Sequence, residues 1–174
     1  MKKLVFILLI AAVACKNEPK ETPEEPTTTE TEVVDKELEI VMNFKTDTAG
    51  EIKLMLNNVE VDDFQRKNIH VIEKVEPATG IDELRANFGP NNFSPMIYIN
   101  FGNKVTKNVE VSNIQIQYGD KGLNVDASSL PEYFSFNKYV EFDSVAKIIR
   151  TKRIDGIHNP NIILKRIYAK TLNN

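Results

Sequence analysis

The chain has a single cysteine, Cys15, and no tryptophan among its 174 residues. Because no thiol follows position 15, disulfide bonds and thiol chemistry are excluded from the rest of the chain, which must be stabilised by a hydrophobic core. Catalytic motifs are also missing: there is no GxSxG, no HExxH and no phosphate-binding glycine loop. We therefore predict a protein that is not an enzyme and uses no cofactor, with a hydrolase lacking a recognisable motif as the remaining alternative.

The sequence predicts no metal site. Its two histidines, His70 and His158, are too far apart to indicate a local ligand motif. Asp62, Asp63 and Asp155 lack the alternating spacing of a calcium-binding loop, so we expect them in ordinary turns and loops.

The first fifteen residues, MKKLVFILLIAAVAC, have the pattern of an export signal: two lysines, an apolar run and small residues before the cysteine. The string AVAC resembles the bacterial lipobox, which implies that the thiol of Cys15 is diacylated and that the chain is cut just before it. An uncleaved membrane anchor needs about 20 apolar residues and finds only about eleven here. We predict a signal peptide over 1–14 and a lipid anchor at Cys15 that holds the protein to the bacterial envelope, with the outer membrane as the expected location.

A polar segment follows the anchor. Residues 15–37 are rich in proline, threonine and acidic residues and contain no aromatic residue. Such a composition cannot offset the entropy of ordering, so we predict a disordered acidic tether. A sorting signal is the alternative, because acidic residues after the cysteine resemble surface-exposed lipoproteins of Bacteroidota-type bacteria.

Residues 38–174 have the alternating pattern of an all-β domain. The turn TDTAG after the first strand predicts a hairpin, and a phase slip at Ser112 and Asn113 predicts a β-bulge. Short helical turns are predicted near 81–88 and 129–134. The predicted strands cover 38–45, 52–56, 69–75, 96–101, 109–118, 123–126, 145–150 and 162–168. We predict an antiparallel, jelly-roll-like β-sandwich of eight or nine strands, with at most one or two helical turns.

Three stretches carry a resemblance to a known class of domain. IYINFG, VEVSNIQIQYG and LPEYFSFNKYVEFD are similar in layout to small carbohydrate-binding-module-like sandwiches of Bacteroidota-type envelope proteins. The resemblance covers about 96–143. It implies a sandwich fold and a glycan partner.

The densest aromatic cluster of the chain lies over 133–142. Alternation predicts that Phe134 and Phe136 point inward, which leaves Tyr133 and Tyr139 as exposed rings for stacking on a sugar. Asn137 would exchange hydrogen bonds with sugar hydroxyls. The alternative is that the whole cluster closes the end of the core.

The charge of residues 38–174 argues against a nucleic-acid partner. Residues 38–174 hold equal numbers of acidic and basic residues and contain no nucleic-acid-binding motif. The basic residues of 147–170 form either a face for an anionic polysaccharide or lipid headgroup, or the solvent sides of strands. We therefore predict a non-catalytic module that binds a polysaccharide or other cell-surface ligand. The alternative function is a structural or interaction subunit of an envelope protein complex.

Overall fold

The computed structural model describes residues 35–174. The predicted signal peptide 1–14, the lipid attachment at Cys15 and nearly all of the predicted tether 15–37 lie outside these residues. The described chain forms two antiparallel sheets with two short helices, which confirms the all-β sandwich. Its first strand begins at Glu37, one residue before the predicted start of the domain.

Eleven strands are present within residues 35–174, more than the eight or nine predicted. The elements are β1 Glu37–Thr46, β2 Gly50–Glu60, β3 Arg66–Val75, β4 Asp82–Pro90, β5 Ile97–Asn100, β6 Asn108–Tyr118, β7 Lys121–Asp126, α1 Leu130–Tyr133, β8 Phe134–Phe136, β9 Val140–Asp143, β10 Ile148–Thr151, β11 Asn161–Leu164 and α2 Arg166–Thr171. A short 3-10 turn, Ala127–Ser129, precedes α1. The first sheet has the order β4-β1-β6-β10-β9, and β7 also pairs with β6; the second sheet has the order β3-β2-β5-β11-β8.

The core lies between the sheets because the strands alternate with period two. In β1, Leu38, Ile40, Met42 and Phe44 all point inward and are buried. Slipping β1 by one residue would turn this whole set to solvent, so burial of one face fixes the strand's orientation. β5 is the middle strand of the second sheet.

The predicted hairpin between the first two strands is wrong. β1 pairs with β4 and β6 in the first sheet, whereas β2 pairs with β3 and β5 in the second. The link between them therefore crosses from one sheet to the other, and the apolar faces of the two strands lie across the core. The carboxylate of Asp47 secures this link by accepting hydrogen bonds from the backbone N–H and the side-chain amide of Asn108 at 2.9 and 2.6 Å.

The helix predicted near 81–88 is also wrong, because this segment is strand β4. Leu84 and Phe88 fit a helical spacing, but Ala86 between them completes a period-two set, and all three are buried. Ile81, which the helix would have buried, is exposed. Pairing with β1 gives this segment its backbone hydrogen bonds, so tertiary context overrides local pattern.

Strand β11 ends four residues before the end of the predicted strand 162–168. Helix α2 follows and buries Ala169, while Leu172 just after it is also buried. Their spacing of three residues is helical. The predicted helical turn at 129–134 is confirmed as α1, and the predicted strand 145–150 begins only at Ile148.

The predicted bulge is confirmed. Asn43 of β1 pairs with Asn113, and the next residue, Phe44, pairs with Val111. Ser112 is therefore the extra residue of β6, and the chain regains its inward phase on both sides of it.

The sandwich has two ends, which are named here by the segments that meet there. At the entry end, the backbone of Lys36 is hydrogen-bonded to Asn91, and Gly119 is bonded to Glu37. At the opposite end, called the loop end, the connections 101–107 and 152–160 meet. No helix within residues 35–174 is long and apolar enough to cross a membrane.

Candidate functional site

The structure separates the two tyrosines that were predicted to stack on a sugar. Tyr133 precedes β8 and Tyr139 follows it, and the strand between them spans roughly 10 Å at ~3.3 Å per residue. Tyr139 is only 8% exposed, so the prediction of an exposed ring is wrong at this position. Tyr133 is partly buried, and its ring centroid lies 4.3 Å from that of Tyr168.

Asn137 uses its side chain to hold two loops together. Its Oδ1 accepts the backbone N–H groups of Tyr139 and Asn161 at 3.1 and 3.2 Å, and its Nδ2 donates to the carbonyl of Asn159 at 2.7 Å. Both lone pairs of the oxygen are thereby occupied. A glycan-binding role for Tyr133, Asn137 and Tyr139 stays a prediction, without a shared surface to support it.

Phe134 and Phe136 behave as the alternation predicted. Phe134 is buried, and Phe136 packs against the core with its ring stacked on Phe142 at a centroid distance of 5.7 Å. Since β8 and β9 are the last strands of their sheets, this stacked pair closes one open side of the sandwich. The aromatic cluster is therefore mainly packing.

A cleft at the entry end combines aromatic and amide groups. Its volume is about 370 Å³. The rings of Phe93 and Tyr118 pack against each other with centroids 4.8 Å apart, and Phe93 is the more exposed of the two. The lining residues are Asn58, Glu60, Asn91, Phe93, Pro95, Tyr118, Lys170, Asn173 and Asn174. We call this site the entry-end cleft.

Two asparagines of the cleft have left-handed backbone conformations. Asn58 has φ of 58° and Asn91 has φ of 56°, values that asparagine adopts more readily than most residues. The side-chain amide of Asn91 already has partners, because its Oδ1 accepts a hydrogen bond from the backbone N–H of Lys36 and its Nδ2 donates one to the carboxylate of Asp35. The Nδ2 of Asn58 instead faces the sulfur of Met96 at 3.1 Å, which is a weak acceptor. Asn58 is thus the better of the two for exchange with a ligand.

Sequence reasoning missed this cleft. Its partly exposed ring, Phe93, belongs to the segment GPNNFSP, and an aromatic residue among turn-forming residues is a signal of surface placement. Tyr118 and Asn58 carry no such signal. Tyr118 belongs to strand β6 and Asn58 lies at a bulge of strand β2, and the partners of these strands could not be read from the sequence. They meet only through the fold.

A second groove, of about 440 Å³, lies on the outer face of the first sheet. Two of its four charged residues already have partners: Arg150 contacts Asp143 at 2.8 Å, and Asp47 holds Asn108. Burial raises the pKa of Asp47, but hydrogen bonds from Asn108 and Thr48 outweigh it and lower the pKa overall.

The basic residues of 147–170 are spread over several surfaces. Arg150 and Lys152 contact Asp143 and Glu141 on strand β9. Lys165 donates instead to the carbonyl of Pro131 near the entry end. This dispersion favours the interpretation that these residues are mainly solvent-facing.

Comparison of this chain with family models, curated proteins and solved structures found no match. Within the described 35–174, no group of three or more His, Cys, Asp or Glu side chains is arranged to hold a metal ion.

Proposed function

We propose that the protein is a non-catalytic, lipid-anchored module of the bacterial envelope that binds a glycan in the entry-end cleft. The observation that carries the proposal is the pairing of a partly exposed ring, Phe93, with the amide of Asn58 in one concave site. A sugar presents an apolar C–H face and a rim of hydroxyls. An aromatic surface suits the first, and an amide such as that of Asn58 suits the second.

The size of the cleft limits the ligand. A volume of about 370 Å³ lies near the lower end of the range typical of small-molecule sites, roughly 300–1,000 Å³. We therefore propose recognition of a short saccharide or a chain end rather than a long stretch of polymer.

Phe93→Leu and Asn58→Gly test the cleft without large damage to the fold. Leucine keeps apolar volume but removes the planar ring, and glycine keeps the left-handed backbone at position 58 while removing the amide. A glycan array with the full-length protein would identify a ligand. Calorimetry should then show each variant binding about tenfold more weakly, equivalent to ~1.4 kcal/mol.

Phe142→Leu is the matched control, because Phe142 is also a partly buried phenylalanine but lies outside the cleft lining. It should bind as the unaltered protein does. Equal affinity in all four proteins, or no glycan bound at all, would rule out the cleft as a glycan site.

The proposed lipid anchor has its own test at Cys15. Cys15→Ala removes the only thiol in the chain, so the precursor should stay uncleaved and take up no labelled palmitate. Lys16→Ala, one residue away, should be processed normally. A Cys15→Ala protein that is still cleaved and lipid-labelled would contradict the lipoprotein assignment.

A second candidate function is an interaction subunit of an envelope complex. It is favoured by β3, a ten-residue strand at the edge of the second sheet whose outer side carries the exposed Ile72. Such an edge offers unpaired backbone groups to another chain. Co-purification from membranes of a partner that is lost on Ile72→Lys would support this function over the first.

A further inference from the structure

A lysine is buried at the loop end of the sandwich, away from the entry-end cleft. Lys107 is only 4% exposed, and its Nζ has one hydrogen-bond acceptor among residues 35–174, the carbonyl of Glu51 at 3.4 Å. Its backbone is held firmly, because Thr151 bonds to the N–H through Oγ1 and to the carbonyl through its own N–H. An ammonium has three donors, so this one is under-satisfied.

Two glycines allow close packing around the lysine. A Cβ at Gly50 would lie 2.7 Å from Nζ of Lys107, and a Cβ at Gly102 would lie 2.6 Å from the carbonyl oxygen of Glu51. They border a groove of about 190 Å³ that Lys107 also lines. That volume corresponds to about six waters at ~30 Å³ each.

The groove has an excess of positive charge. Lys74, Lys104 and Lys107 line it against Glu51 and Glu76. The nearest ion pair is loose, with 3.9 Å between Lys104 and Glu51. Burial lowers the pKa of Lys107, and the charges of Glu51 and Asp47 oppose the shift without reversing it. The carboxylates present therefore do not compensate the buried ammonium.

His158 lies close by and is also 4% exposed. Neither of its ring nitrogens has a partner with good hydrogen-bond geometry within the described part of the chain, although the backbone of Asn103 lies close to the ring. Burial lowers its pKa, the backbone of Asn103 opposes that shift, and the positive charges of Arg153 and Lys107 lower it further. The ring of His158 therefore lies within the electrostatic field of Lys107.

We propose that the groove bordered by Gly50 and Gly102 binds one oxyanion group, a carboxylate, sulfate or phosphate, with Lys107 as its main contact. The bound anion accepts the free donors of the lysine, since charge-assisted hydrogen bonds are the stronger kind. His158 reports occupancy because an anion on Lys107 changes the field at its ring. This site is separate from the entry-end cleft and does not depend on glycan binding there.

The test is a titration of the isotope-labelled full-length protein with sodium phosphate, sulfate or acetate at constant ionic strength, followed by NMR. At least one anion should shift the resonances of Gly50, Gly102 and the His158 ring along a saturable curve, and comparing the three salts identifies the preferred group. His70 is exposed on β3 and should not respond, which makes it an internal control. Absence of a saturable shift with all three anions would overturn the proposal.

Variants separate specific binding from general salt effects. Lys107→Met keeps the apolar stem and should weaken binding at least tenfold. Lys74 is exposed, so Lys74→Met should leave the fold intact. It should weaken binding about threefold by removing one positive charge from the rim of the groove. Lys67→Met, on the same strand but outside the groove, should change nothing. Equal affinity in Lys74→Met and Lys67→Met, with binding retained in Lys107→Met, would contradict the site.

Discussion

Phe134→Ala is expected to destabilise the sandwich by about 3–5 kcal/mol, the usual cost of deleting a fully buried phenyl ring. Phe134 is among the largest fully buried side chains, and it lies on β8 at the edge of the second sheet. Urea unfolding followed by far-UV circular dichroism would measure the loss directly.

Phe64→Ala provides the control, since Phe64 is 95% exposed at the turn between β2 and β3. Its removal should change the free energy of unfolding by less than about 0.5 kcal/mol. If Phe134→Ala lowered the free energy of unfolding as little as Phe64→Ala does, Phe134 would not be a core residue. The prediction also bears on the cluster 133–142, because a core role for Phe134 leaves that cluster little free aromatic surface for a ligand.

The sequence predicts those parts of the fold in which one face of a strand is buried. In β1 the inward set from Leu38 to Phe44 is buried as the alternation predicts, although Val41 on the other face is buried as well. The bulge at Ser112 follows from a break in the same period of β6. Segment 81–88 was ambiguous because Leu84 and Phe88 fit both periods. Only its pairing with β1 decides the outcome, and that partner is 40 or so residues away in sequence.

Strand partners were the harder part. A short polar turn between two alternating strands predicts a hairpin, yet 47–49 links two sheets. The decisive contact joins Asp47 to Asn108 across 61 residues, and no local pattern encodes it. Long-range pairing of this kind can be inferred only from the whole arrangement of strands.

The candidate site was hardest to predict, because a side chain's role depends on its neighbours. Asn137 has the right chemistry for a sugar but is occupied by Tyr139, Asn159 and Asn161. No sequence pattern marks Phe93 as a binding residue, yet it lies in the cleft with aromatic and amide groups. Residue type alone does not separate a group that holds loops from one that is free to bind.

Gly102→Ala is expected to destabilise the protein by about 2–5 kcal/mol, combining left-handed backbone strain with steric overlap. Gly102 has φ of 86°, which alanine adopts only with strain, and the new Cβ would lie 2.6 Å from the carbonyl oxygen of Glu51. That carbonyl belongs to β2 and cannot move aside without disturbing its strand pairing. Thermal and urea unfolding of the full-length variant would give the loss.

Gly156→Ala isolates the backbone contribution. Gly156 has a similar φ of 76°, but a Cβ there would meet nothing within 4 Å, so only strain of about 1–2 kcal/mol is expected. The difference between the two variants then measures the close approach of Gly102 to β2, the same contact that borders the groove of Lys107. If both lose equal stability, backbone strain alone explains the requirement for glycine, and β2 does not press on position 102.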